Sequence, residues 1–416
     1  MANWLRRLTP KQAILFLSLA ILGVALSILL GRPKAFNYLD GWDFLTFWEG
    51  SYLLTTGESP YDSTAWLDVH TRYGFPPQNQ SYAYPLPLAV ILLPLGLLPL
   101  EVAAMVWVAL TYLAILFAFK LIIGMLRFSP SPAYVLPALA GVFLFRPVAV
   151  TFYINQIDGF TLLWLTSSLF LWERKKLFWG GVLIAFTVLK PQQGIPLLAF
   201  LGVWQVLRSQ WKILLGEGFT LLSLYGLGVL FDPAWLQRWL SFGVNKVSLN
   251  FYSTPTLWGL SALACKPSLS CVYWLGAILS GVAVLMLFWV FLRKSAQDSF
   301  FIMGLVICIT LLISPYLWTY SQLLLILPIL MITVAFYRMQ WPYLLTTSFP
   351  LLLDLFSFGM VGFATIIGAD LLSALVPLVV GGLLLLVYRK DPALLRSGAA
   401  AQQLDESAGW MRRLAG

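Results

Sequence analysis

LDGWDFLTFWEGSYLLTTGESPYDSTAWLDVHTRYGFPPQNQSYAYP, running from Leu39 to Pro85, is the stretch on which the fold turns. It holds six acids, Asp40, Asp43, Glu49, Glu58, Asp62 and Asp68, and the only histidine, His70, in a chain that is 10% charged. Such a segment cannot lie in lipid, yet apolar runs long enough to cross a bilayer stand on both sides of it. Acids beside hydrocarbon are costly to keep. A loop that carries this many between two spans points to a task at the membrane face.

Outward from this loop the chain reads as membrane. Its 416 residues are 60% hydrophobic with a mean hydropathy of +0.84, whereas soluble domains are about half apolar and about a quarter charged. The expected fold class is an all-α polytopic membrane protein. A single domain over residues 1–388 is expected, because no polar stretch is long enough for a separate globular core. The net charge of +9 does not indicate nucleic acid, since the basic residues fall mostly in short loops where positive-inside bias puts them.

Thirteen apolar runs are legible, at Ala13–Leu30, Leu86–Leu98, Val102–Gly124, Ala133–Val150, Phe160–Trp172, Leu177–Leu189, Ile195–Leu207, Ile213–Phe231, Val272–Leu292, Phe300–Ile313, Leu323–Tyr337, Leu344–Ile367 and Leu371–Tyr388. The first exceeds the roughly 7–15 residues of a signal-peptide core and reads as an uncleaved span with a cytoplasmic N-terminus. A spanning helix needs roughly 17–25 residues, so several of the other runs are short or tilted. Basic clusters at Arg174-Lys175-Lys176, Arg208 with Lys212, Arg293-Lys294, Arg338 and Arg389-Lys390 read as cytoplasmic. Parity then requires one run not to cross, and PLPLAVILLPLGLLP, with Pro85, Pro87, Pro94 and Pro99, is the best suspect, because proline breaks helices. About twelve crossings are expected, with both termini cytoplasmic and a tail at 389–416. The loops at 31–84 and 232–271, and the turns at Asn155–Asp158, Lys190–Gly194 and Ser314–Trp318, fall on the opposite side. PAWLQRWLSF, Pro233 to Phe242, reads as an interfacial helix. Cys265 and Cys271 share one loop, as a disulfide if that side is oxidising or else as two free thiols.

The polar residues of that face are the candidates for chemistry. Asp43, just beyond the first span, could act as general base on a sugar hydroxyl, with Asp40 its near competitor. Gly57 to Asp62 is a turn by composition, and its Tyr61 and Asp62 could meet a sugar ring. Tyr82 and Tyr84 stand where the loop re-enters the membrane, as ligand contacts or as interfacial anchors. Asn155-Gln156, with Asp158 beside it, either binds sugar or caps the next helix. Lys190, followed by Pro191-Gln192-Gln193, suits a lipid phosphate or snorkels. Arg146 and Lys246 are weaker versions of the same idea. One histidine and scattered cysteines exclude a zinc-type cluster, and there is no phosphate-cradling GxxxxGK[ST] loop. The short cytoplasmic loops leave no room for a nucleotide-sugar domain.

Taken in order, these pieces resemble the polyprenol-phosphate-sugar-dependent glycosyltransferases of the GT-C fold, and most nearly glycosyltransferase family 87, the α-mannosyltransferase-like group. The resemblance rests on Asp43 and Phe47 with Gly57, Pro60 and Tyr61; on Tyr82 to Pro87; on Asn155-Gln156; on Gly180-Gly181 leading to Lys190-Pro191; and on Ser314, Pro315 and Trp318. Two positions depart from the family's pattern. Members often carry Asn-Gly-Gln where this chain has Asn155-Gln156, and often His or Asp where it has Tyr320-Ser321.

The resemblance implies a GT-C-type bundle in the cell (plasma) membrane, with its active site on the extracytoplasmic face. It implies inverting transfer of a mannose-like hexose from a polyprenyl phosphate sugar to a lipid-linked or glycan acceptor of the cell envelope. Asp43 would be the catalytic base. Asp40, Tyr61, Tyr82, Tyr84, Asn155, Gln156, Asp158, Lys190, Gln192 and Trp318 would bind substrate. The partners implied are the lipid-phosphate donor, the acceptor and membrane lipids, and no organic cofactor is expected, with metal dependence open. The competing class is a transporter or flippase of lipid-linked glycans, which predicts ionisable residues near the bilayer midplane inside broken helices.

Overall fold

The computed structural model describes residues 43–74, 82–127, 132–241, 253–293, 298–367 and 370–395. The first apolar run, Asp40, Lys246 and the tail beyond Leu395 lie outside the described residues. Among those described there are helices and no strand.

The acidic loop folds into two helices. α1 (Asp43–Thr56) ends at Gly57, whose φ of +79° reverses the chain. α2 (Ser63–Tyr73) starts where the Asp62 side chain accepts from the Thr64 N–H at 2.8 Å, as a helix-opening aspartate should. It stops at Gly74 in the left-handed conformation. The proline-rich run then breaks into α3 (Leu86–Ile91) and α4 (Leu93–Gly96), neither long enough to cross a bilayer. α5 (Leu100–Met125) follows as a full span.

Next come α6 (Pro132–Leu144) and α7 (Arg146–Ile154), bent by 49° at their junction. After them run α8 (Asp158–Glu173), α9 (Leu177–Ala185), a 3₁₀ turn at Phe186–Leu189, α10 (Pro191–Leu207) and α11 (Trp211–Phe231). A short helix at 235–241, α12, occupies the segment read as interfacial. The remainder is α13 (Leu257–Cys265), α14 (Leu269–Leu292), α15 (Ser299–Ile313), a 3₁₀ segment at Thr319–Leu325, α16 (Ile326–Arg338), α17 (Tyr343–Ile367), a 3₁₀ turn at Leu371–Ala374 and α18 (Leu375–Lys390).

Six of these elements are long and apolar enough to cross a membrane, or seven if the bent pair counts as one span. Twelve crossings are thus not confirmed, because runs such as Leu177–Leu189 form elements shorter than a full span.

Burial separates centre from rim. α15 is buried along almost its whole length and α16 nearly so, the pattern of a helix apolar all round. α14 instead exposes Trp274, Ile278, Val282, Leu285, Trp289 and Leu292. At 24 residues it is about 36 Å long, enough for a bilayer core, and so large an exposed apolar face implies lipid. A second, aromatic core joins α1, α2 and α3 to the start of α5 through Phe44, Phe47, Trp48, Trp66, Tyr82 and Trp107. α9 and α11 touch backbone to backbone. A Cβ on Gly181 would stand 2.1 Å from the Ile213 carbonyl oxygen, and one on Gly216 would stand 2.1 Å from that of Phe178.

The bundle has two unlike ends. Arg208, after α10, donates to the carbonyls of Phe291 and Arg293 at the end of α14. Arg338 donates at 2.7 Å to the carbonyls of Leu126 and Leu394, near the ends of α5 and α18. The starts of α8, α10 and α14 and the end of α15 therefore lie at the other end. There Ser314 Oγ, after α15, donates to the Gln192 carbonyl at 2.7 Å. Cys265 and Cys271 are bridged at that end, with their Cα atoms 5.5 Å apart, which decides between the two readings of that loop.

Candidate active site

The end opposite the basic clusters gathers most of the residues singled out in the sequence. Asp43 is the first residue of α1, where the helix dipole favours a carboxylate. Its Oδ2 accepts a hydrogen bond from Gln156 Nε2, and the same amide nitrogen donates to the Tyr84 hydroxyl at 3.2 Å. Gln156 reaches them because Asn155 ends α7 in the left-handed conformation, φ +58°, which asparagine tolerates. Asn155 thus closes the helix before it and does not cap the one after. Its carbonyl accepts from Trp107 Nε1 at 2.8 Å. Both residues are buried.

Beside this lies a second polar group. Lys190 follows the 3₁₀ turn at Phe186–Leu189, and Pro191 opens α10 after it, a proline position that costs no helix hydrogen bond. Lys190 Nζ stands 2.5 Å from Asp158 Oδ2 and 3.2 Å from Ser321 Oγ, and 4.3 Å above the Tyr320 ring. Gln193 Nε2 donates to the other Asp158 oxygen at 3.2 Å. Lys190 and Asp158 are both wholly buried, so Lys190 does not snorkel. The two groups adjoin across the break between α7 and α8, where Gln156 and Asp158 are two residues apart.

The remaining candidates divide. Tyr84 is at the site, its ring 4.9 Å from that of Phe47. Tyr61 supports it from behind, its hydroxyl donating to the Tyr84 carbonyl at 2.8 Å. Tyr82 is wholly buried against Gly50, where a Cβ would come within 2.6 Å of its ring, so it packs the α1–α2 unit. Gln192 contributes its carbonyl to Ser314, and the side chain in the polar network is that of Gln193. Trp318 is half-buried and meets Tyr316 edge to face at 6.2 Å. Arg146 is held elsewhere, by Asp370. Sequence reasoning missed Gln193, Tyr316, Tyr320 and Ser321. The spacing of Lys190 and Gln193, one helical turn apart, was the available signal for the first of these.

The sequence pattern of glycosyltransferase family 87 matches residues 82–315, more than half of the chain. The chain belongs to glycosyltransferase family 87. It is therefore a glycosyltransferase, built on membrane-crossing helices. The matched region contains Tyr84, Gln156, Asp158 and Lys190 and begins after Asp43. Neither a comparison with curated proteins nor one with solved structures found a match.

Proposed function

We propose that this family 87 enzyme transfers a mannose-like hexose, with inversion, from a polyprenyl phosphate sugar to a lipid-linked or glycan acceptor on the extracytoplasmic face of the plasma membrane. The observation that supports the proposal is the Asp43–Gln156 hydrogen bond, which holds the one half-exposed carboxylate of the described cluster on a residue two positions along the chain from Asp158, the buried partner of Lys190. The acceptor hydroxyl attacks the anomeric carbon while the bond from that carbon to the phosphate oxygen breaks. The hydroxyl proton passes to Asp43, and the lipid phosphate leaves with the bonding electrons. Gln156 fixes the direction of the Asp43 lone pairs. Lys190 is already matched by Asp158, so it assists the departing phosphate by turning part of its hydrogen bonding away from that partner, toward the charge that develops. The gathering of the basic clusters at the far end supports an active site outside the cytoplasm, by positive-inside bias.

The test is Asp43→Asn, which keeps the shape of the side chain and removes the base. Purified protein in nanodiscs, given a synthetic lipid-phosphate sugar and acceptor, should lose about 10²–10⁴-fold in turnover while still binding the donor. Turnover near that of the unaltered protein would reject Asp43 as base.

A further inference from the structure

The clamp at the opposite end of α7 remains without a role in the scheme above. Arg146 Nη2 stands 2.5 Å from Asp370 Oδ2, and Nη1 donates to Ser373 Oγ at 2.9 Å and to Asp370 Oδ1 at 3.3 Å. The hydroxyls of Thr319 and Ser373 donate to the same carboxylate. Arg146 Nη1 also reaches the Ser357 carbonyl on α17 at 3.4 Å, and Gln322 Nε2 donates to the Ser373 carbonyl at 2.8 Å. One guanidinium–carboxylate pair thus joins α7, the Thr319–Leu325 segment, the Leu371–Ala374 turn and α17. A two-point pair of this kind fixes direction as well as distance.

What the clamp holds is close to the proposed chemistry. α7 is nine residues, about 13 Å, and begins at the 49° bend from α6. Its far end delivers Gln156 to Asp43. The Thr319–Leu325 segment carries Thr319, bonded to Asp370, and two residues later Ser321, bonded to Lys190. A nine-residue helix anchored at both ends has little freedom, and a release at Arg146 is felt at Asn155.

We infer that Arg146 and Asp370 are positioning residues for the transfer reaction: they fix α7 against the Thr319–Leu325 segment and so hold Gln156 on Asp43 and Ser321 on Lys190. The inference rests on the function proposed above for that cluster.

Full-length protein in nanodiscs tests it with Arg146→Met, Arg146→Lys, Asp370→Asn and Gln156→Ala. Arg146→Met should lower kcat per folded molecule about 10–100-fold, the scale of a displacement of about 1 Å at a reacting group, with the donor KM unchanged. Asp370→Asn should do the same, and Arg146→Lys should recover part of the loss. Arg146→Met combined with Gln156→Ala should lose less than the product of the two single losses. Multiplied losses in the double variant would overturn the inference. So would an unchanged kcat with less folded protein, or a raised donor KM in the Arg146 variants alone, which would make Arg146 a donor contact.

Hydrogen exchange over residues 146–157 reads the clamp without substrate. It should quicken in Arg146→Met and stay unchanged in Asp43→Asn, and unaltered exchange in Arg146→Met also overturns the inference. If the unaltered protein transfers no sugar from any lipid phosphate, the proposed function fails, while the exchange result still judges the clamp.

Discussion

Removing one member of the Lys190–Asp158 pair is the most severe perturbation the site offers, and its size follows from burial. Both side chains are wholly out of solvent and 2.5 Å apart. Lys190→Met leaves a buried carboxylate whose remaining bond is the one from Gln193. It also removes the cation from above the Tyr320 ring. Asp158→Leu leaves a buried ammonium with Ser321 and the Tyr320 ring in place of a counter-charge. Breaking a buried pair by removing one partner costs about 3–5 kcal/mol, whereas replacing both partners with apolar residues of similar volume is often neutral. Each single variant should therefore unfold more readily by about 3–5 kcal/mol, and the double variant should cost less than either. SDS-induced unfolding in detergent, followed by helicity, supplies the three free energies. Single losses that add in the double variant to within about 0.5 kcal/mol would mean the two groups are not coupled, and the description of Lys190 and Asp158 as a buried ion pair would fail.

Gly181→Ala should destabilise by about 1–3 kcal/mol in the same unfolding assay, because its Cβ would meet the Ile213 carbonyl at 2.1 Å. Gly218→Ala, with nothing within 4 Å, should stay within about 0.5 kcal/mol. Glu49, on α1 outside the candidate spans, stands 2.9 Å from His70 Nε2, and burial pushes its carboxyl up from 4.5 to about 9. Its folded value is the raised one, so the stability it contributes is complete below about pH 4.5 and lost as pH rises through about 9. Melting temperature should fall over that window, and Glu49→Gln should flatten the fall. After reduction, exposed Cys271 should react with a membrane-impermeant maleimide applied to intact cells, while Cys308, buried in α15, should not. Labelling only in inverted vesicles would reverse the proposed orientation.

What the sequence disclosed depended on how local each signal was. Lys190 stood out because a lysine ends an apolar run and a proline follows. Asn155-Gln156 stood out as amides between two such runs. These are breaks in a pattern, and the structure finds a helix break at both. Gln193 was hidden behind Gln192, since composition does not say which of two adjacent amides turns inward. The partner of Arg146 lies 224 residues away, and no local rule reaches that far. Tyr82 and Tyr84 read alike in sequence, yet Tyr82 packs wholly buried against Gly50 while the Tyr84 hydroxyl accepts from Gln156, a difference set by contacts distant in the chain. Apolar composition does not fix the number of crossings, because it does not distinguish a full span from a broken one; the described residues hold six full-length spans, or seven with the bent pair.

The same breaks explain how charge is tolerated at this end of the bundle. A helix terminus leaves backbone N–H groups without partners inside the helix, and three N-termini meet here: α1 at Asp43, α8 at Asp158 and α10 just after Lys190. Each carries a partial positive charge of roughly half a unit, so the two carboxylates are favoured by backbone before any side chain contributes. Among the described residues one lysine stands against them, already paired. The described side chains of the cluster thus carry more negative charge than positive, and the helix ends offset the difference. In the proposed reaction the departing phosphate would draw on those same N-termini. The hydrogen bonds of Gln156, Gln193 and Ser321 then keep each charged group aimed, since the neutral partners can be shared out again as the charge moves.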